Sequence, residues 1–180
     1  MTAMAEIPTA SEHARVELRE VLQATLVELI ALSLVGKQLH WNVAGPGFRE
    51  IHLQLDELVV ACRDLLDVVA ERQAAIGISP DGRGEAVVAS GLDPVAAGPV
   101  DAAEAVRLVS ARVADVAQRV RSRIERVGEL DLVSQGILIE VSRTLEQHLW
   151  MFRAQLPQDR DGRAADCGCA REDSNLRPAD

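Results

Sequence analysis

Four side chains in one stretch of sequence have the types and spacing to hold a metal ion: His52 with Asp56, and Asp67 with Glu71, each pair spaced i, i+4. On a helix such a pair stands ~6 Å apart, near enough for both groups to reach one cation. Counted at ~100° per residue from Ile51, Leu55, Leu58, Cys62, Leu65 and Val69 fall within about 40° of one line, a core stripe. His52, Asp56, Asp67 and Glu71 fall at roughly 100° to 200° and point away from it. Leu53 and Val60 share that outer stripe, and apolar residues among His and carboxylates mark a surface that another subunit covers. The eleven residues from Asp56 to Asp67 separate the two pairs by ~16 Å along the axis, so no single centre can use both from one chain. Two copies of the helix packed antiparallel about a two-fold axis would bring His52 and Asp56 of one to Asp67 and Glu71 of the other. His40, just before the turn at Asn42–Gly47, is placed to join His52 and Asp56. Two imidazoles and three carboxylates without a thiolate suit iron, manganese or zinc, and a cation would offset the repulsion among the carboxylates. An interface held by salt bridges is the other reading of the same pattern.

Long helices must carry these groups. Thr9-Ala10-Ser11-Glu12 reads as a capping box, and Leu18, Leu22, Leu26 and Leu29 recur at helical spacing in a first helix to about Leu39. Between Ala24 and Val35 that helix is apolar nearly all round and should pack on more than one surface. The Asn42–Gly47 turn leads to a second helix from about Pro46 to Ile76. Gly77 to Pro99 holds eight Gly or Pro residues in 23 positions, a connection with room for a short helix at Glu85–Ala89. Asp101 to Glu104 caps a third helix that ends near Val127. Asp131 opens a fourth, with Leu138, Val141, Leu145, Leu149 and Phe152 on one face and Pro157 as its stop. The expected fold is all-α: an antiparallel four-helix bundle with one long crossover between helices two and three. Residues 1–8 are expected to be a flexible N-terminus, 9–156 the bundle and 157–180 a disordered tail.

Composition narrows the function classes. Of 180 residues 48% are apolar and 2% aromatic, which supports one domain with a real core and favours helix over strand. The 28 acidic residues outnumber 19 basic ones, and Lys37 is the sole lysine, so phosphate binding by bulk charge is disfavoured. Cys62, Cys167 and Cys169 make no paired disulfide framework, and the first residues have neither the basic nor the apolar part of a secretion signal. The expected location is the cytoplasm. No apolar run approaches the ~18 residues of a membrane span.

The string Lys37-Gln38-Leu39-His40-Trp41-Asn42-Val43-Ala44-Gly45-Pro46-Gly47-Phe48, followed by His52 with Asp56 and Asp67 with Glu71, resembles the signature of the Dps family of mini-ferritins. The likeness spans roughly residues 10–155 and includes Leu145-Glu146-Gln147-His148-Leu149-Trp150-Met151. It implies a ferritin-like bundle in which His40, His52 and Asp56 come from one subunit and Asp67 and Glu71 from its two-fold mate. These would form a ferroxidase centre without haem. It further implies a hollow dodecamer that oxidises Fe(II), preferably with hydrogen peroxide, stores ferric mineral and so protects DNA; a structural or nucleoid-associated shell without that activity is the alternative. Ferritins with the iron site inside one bundle use Glu-x-x-His pairs, and this sequence has none.

The remaining candidates read more plainly. Trp41, next to His40, would take up stray oxidising equivalents by the same resemblance, or simply pack. His148 is expected as a hydrogen-bonded core histidine, His13 as a first-turn surface residue and Cys62 as a small buried hydrophobe. Cys167-Gly168-Cys169 is a weak soft-metal candidate. The cluster Arg119, Arg121, Arg123 and Arg126 is expected on a solvated or subunit-pairing face. Members of the Dps family that bind DNA do so through lysine-rich termini. Here residues 1–15 carry one arginine against two glutamates and residues 158–180 four arginines against six acids, so weak or no DNA binding is expected. Glu172 to Pro178 resembles the peptide made when a reading frame runs into a transfer-RNA gene, which would make the tail dispensable.

Overall fold

The computed structural model describes residues 12–156. Residues 1–8, the Thr9 and Ser11 of the capping box, the Pro157 stop, the tail and Cys167 and Cys169 lie outside them. Five helices follow one another: α1 (Glu12–Asn42), α2 (Phe48–Ala75), α3 (Gly84–Val88), α4 (Ala102–Val127) and α5 (Leu132–Arg153). The short helix expected within the crossover is α3, and α4 and α5 are the expected third and fourth helices of an all-α, ferritin-like bundle. Asp101 caps α4 by accepting from Glu104 N at 3.0 Å, and Asp131 caps α5 by accepting from Ser134 N at 2.9 Å. These side-chain oxygens satisfy amides that the first helical turn leaves without partners.

The turn between α1 and α2 differs from the expectation. α1 continues through Asn42, so His40 sits inside its last turn, and α2 begins at Phe48, after Pro46. Gly47 ends the turn in the left-handed region at φ 79°, which a side chain would resist. Between these helices Val43–Ala44 (β1) pairs in parallel with Val100–Asp101 (β2), matching Val43 to Val100 and Ala44 to Asp101. The pairing sets the starts of α2 and α4 at the same end of the bundle, so residues 76–101 must run its full length. Along the way Gln23 bonds both backbone groups of Asp81, Arg119 donates to Ser90 O, and Arg112 donates to Asp93 O.

The core is leucine and valine at helical spacing. Leu18, Leu22, Leu29 and Leu32 of α1 are buried with Leu55 and Leu58 of α2, Val109, Val113, Val116 and Val120 of α4, and Leu138, Leu145 and Phe152 of α5. α1 packs chiefly on α2 and also on α4 and α3, as its apolar circumference requires. A Cβ built on Gly36 would stand 2.7 Å from Val59 Cγ2, so the glycine lets α1 and α2 approach closely beside the residues discussed next. Among the described residues no helix is long and apolar enough to cross a membrane.

Candidate metal centre

His40 in the last turn of α1 and His52 in the second turn of α2 hold one another. His40 Nδ1 lies 2.8 Å from the backbone oxygen of His52, and His52 Nδ1 lies 2.9 Å from the backbone oxygen of His40. A carbonyl only accepts, so each Nδ1 carries a hydrogen, which in the neutral tautomer leaves the lone pair on Nε2. A backbone carbonyl behind the ring in this way fixes the tautomer and direction that a metal-binding histidine needs. The rings stack with centroids 3.6 Å apart and planes 21° from parallel, and the ring of Phe48 leans on His52 at 5.0 Å. Only 8% of His40 is exposed.

Asp56 stands one turn beyond His52, its Oδ1 3.4 Å from His40 Nδ1. Lys37, one turn before His40, forms an ion pair with the same oxygen. The hydrogen bond from Lys37 chiefly holds the Asp56 carboxyl below its ordinary range; burial opposes this, and the charge of Lys37, with that of the two histidines when protonated, adds to it. The structure therefore brings together His40, His52 and Asp56, plus one cation, Lys37, to which sequence reasoning gave no role. That the sole lysine lies three residues before His40 was the available signal. Phe48, spaced i, i+4 with His52, was likewise overlooked.

Asp67 and Glu71 are exposed farther along α2, as their azimuth required. Among the described residues no three His, Cys, Asp or Glu side chains gather to hold a metal within one chain. Leu53, Val60 and Val68 of α2 are exposed, as are Leu34 and Trp41 of α1, the last at 70%. A carboxylate face among apolar side chains is thus left open beside the histidines.

Other candidates fall into place. Cys62 is buried and its thiol is pushed up to about 12 by desolvation, so it packs as a hydrophobe. His13 is exposed in the first turn of α1. His148 is buried as expected, yet its Nδ1 has no hydrogen-bond partner, a correction to the expected bonded histidine. Burial lowers its pKa, partly opposed by Glu57. The arginine cluster is a correction in part: Arg121 and Arg126 are exposed as expected, paired with Glu146 and with Glu17 and Glu20, whereas Arg119 and Arg123 turn to Glu28 and tie α4 to α1, Arg119 also pairing with Asp115.

A helical bundle with a full-length crossover is the fold of a ferritin-like protein, and a family model described as "Ferritin-like domain" matches residues 19–161. The DNA protection during starvation protein of Mycolicibacterium smegmatis is 32% identical over 151 residues, 83% of this chain and 82% of that one. The fine tangled pili major subunit of Haemophilus ducreyi is 34% identical over 138 residues, 76% of this chain and 73% of that one. Among solved structures, the tetragonal form of Mycobacterium smegmatis Dps superposes with a TM-score of 0.82 at 32% identity, covering 88% of this chain and 96% of that one. DpsA14 from Streptomyces coelicolor gives 0.81 at 34%, covering 86% and 92%. The chain belongs to the Dps family.

Proposed function

We propose that the protein is a cytoplasmic ferroxidase and iron store whose reacting centres lie between two-fold-related subunits of a hollow dodecamer. One observation carries the reading. His40 and His52 are locked by each other's carbonyls, with Asp56 against the Nδ1 side of His40, while Asp67 and Glu71 are exposed about 16 Å farther along α2. An antiparallel second copy supplies the missing carboxylates to each half-site.

Ferrous ion is the substrate. The imidazoles of His40 and His52 and the carboxylates of Asp56, Asp67 and Glu71 would hold one or two Fe(II) ions. Hard carboxylate oxygens stabilise the higher charge of Fe(III) and so favour oxidation. Two Fe(II) give up one electron each; hydrogen peroxide takes both with two protons and leaves as two waters, so no hydroxyl radical is released. Lys37 neutralises Asp56 until a cation arrives. The acidic composition supports cation entry and mineral nucleation. Removing iron and peroxide protects DNA without requiring contact with it. The acidic balance of both termini and the internal pairing of the arginine cluster support weak or absent DNA binding.

The second reading, a structural assembly without this activity, draws on the similarity to a pilus subunit. Peroxide-driven Fe(II) oxidation in His52→Ala and Asp67→Ala, with native mass recorded beside it, separates the two. The ferroxidase reading expects each variant to assemble and to lose most of the rate. Wild-type rates in both, with assembly intact, would leave only the structural reading.

A further inference from the structure

The stack does not end with the two histidines. Phe48 opens α2, and its ring lies 5.0 Å from that of His52 at 40°, while His40 covers His52 at 3.6 Å. A 3.6 Å stack fills one face of the imidazole, so Phe48 meets the face or edge that remains. The local backbone is built to put it there. Gly47 takes its left-handed conformation, Phe48 N donates to Gly45 O at 3.1 Å, and β1–β2 pairing anchors the turn to the start of α4. Helix spacing then stands Phe48 one turn before His52.

We propose that Phe48 is a positioning residue for metal binding by His52, and this rests on the intersubunit metal reading above. Its contribution is twofold. As a ring packed on a ring, it restricts swinging of His52 out of the orientation set by the His40 carbonyl. As a π-face, it interacts better with an imidazole whose electrons are drawn towards a cation than with a free one, so it favours the metal-bound form. The second effect is unavailable to an aliphatic side chain of similar bulk, and both survive in tyrosine.

The test uses Co(II), a spectroscopically visible substitute for Fe(II), titrated into the assembled full chain, with native mass measured on every sample. Phe48→Leu should weaken Co(II) binding by about two- to tenfold with the mass unchanged, and Phe48→Tyr should restore wild-type affinity. His52→Ala is the control for the underlying reading and should lose far more. Phe48→Leu binding like wild type while His52→Ala is impaired overturns the role of Phe48 alone. His52→Ala binding like wild type overturns the metal reading itself. Loss of assembly in Phe48→Leu together with weak binding in an assembled Phe48→Tyr makes Phe48 an interface residue only and also overturns the proposal.

Discussion

Two charged clusters lie at different places along α1 and use similar residues to opposite ends. Near the middle, Glu28 is buried and shared by Arg119 and Arg123, with Asp115 balancing Arg119. At the C-terminal end, His40, His52 and Asp56 have Lys37 beside them as the one cation among the described residues, and Asp67 and Glu71 are exposed farther along α2. A buried carboxylate that finds its cations inside the chain is committed to holding helices together. A set of imidazoles and carboxylates with fewer cations fits the proposed role of taking charge from outside. The difference lies in the balance of charge and not in the kinds of residue, so the proposed site is the place where that balance is left incomplete.

The sharpest way to break the comparison is to exchange the consequences of mutation. Glu28→Ala strands the mostly buried guanidinium of Arg123, while Arg119 keeps Asp115, and should destabilise the fold by about 3–5 kcal/mol in urea unfolding. Asp67→Ala should leave unfolding within about 0.5 kcal/mol of wild type while abolishing most iron oxidation. A small effect of Glu28→Ala would show that the first cluster is not structural.

His148 stands between the two classes, being buried, titratable and unpartnered at Nδ1. Its folded pKa is depressed, so its neutral form is the one the fold accommodates. The unfolded chain takes up the proton first, near pH ~6.5; stability present above that value is lost as pH falls from there to the lower folded pKa. Urea midpoints between pH 7.5 and 5 should fall for wild type and fall less for His148→Leu. Equal slopes in the two would remove His148 from the acid response.

Lys37→Met sharpens the other side. The pair with Asp56 is partly exposed, so its loss should change stability by no more than about 1 kcal/mol. The Asp56 carboxyl should move back towards its ordinary range, and Fe(II) should bind more tightly because no ammonium competes for the oxygen. Weaker binding would mean that Lys37 supports the site and does not merely hold its place. The smallest effect is expected from deleting residues 158–180, which should leave both assembly and iron oxidation unchanged.

Much of this was legible in the sequence because it depends on period and spacing. The azimuths of His52, Asp56, Asp67 and Glu71 follow from 3.6 residues per turn, and the eleven-residue gap keeps the two pairs from sharing one centre within a chain. Asp101 and Asp131 announce their helices by the chemistry of capping. What stayed hidden depends on contacts between segments. Nothing local in Val43–Ala44 points to Val100–Asp101, and the reciprocal carbonyl bonds of the histidines require the two helices already docked. Arg119 and Arg123 depart from the expected free face for the same reason: their partner Glu28 lies more than ninety positions away in the chain. Charge on one helix looks free until the facing helix is known.

The central claim is that each reacting centre is divided between two chains. His52→Ala and Asp67→Ala subunits, unfolded together and reassembled in equal amounts, test it most directly through the rate of peroxide-driven Fe(II) oxidation. Each variant alone has no complete centre. A mixed two-fold pair has one doubly damaged centre and one intact centre, so random pairing should restore about a quarter of the wild-type rate. A mixed assembly, verified by mass, that stays as inactive as either variant alone would contradict the division of the site.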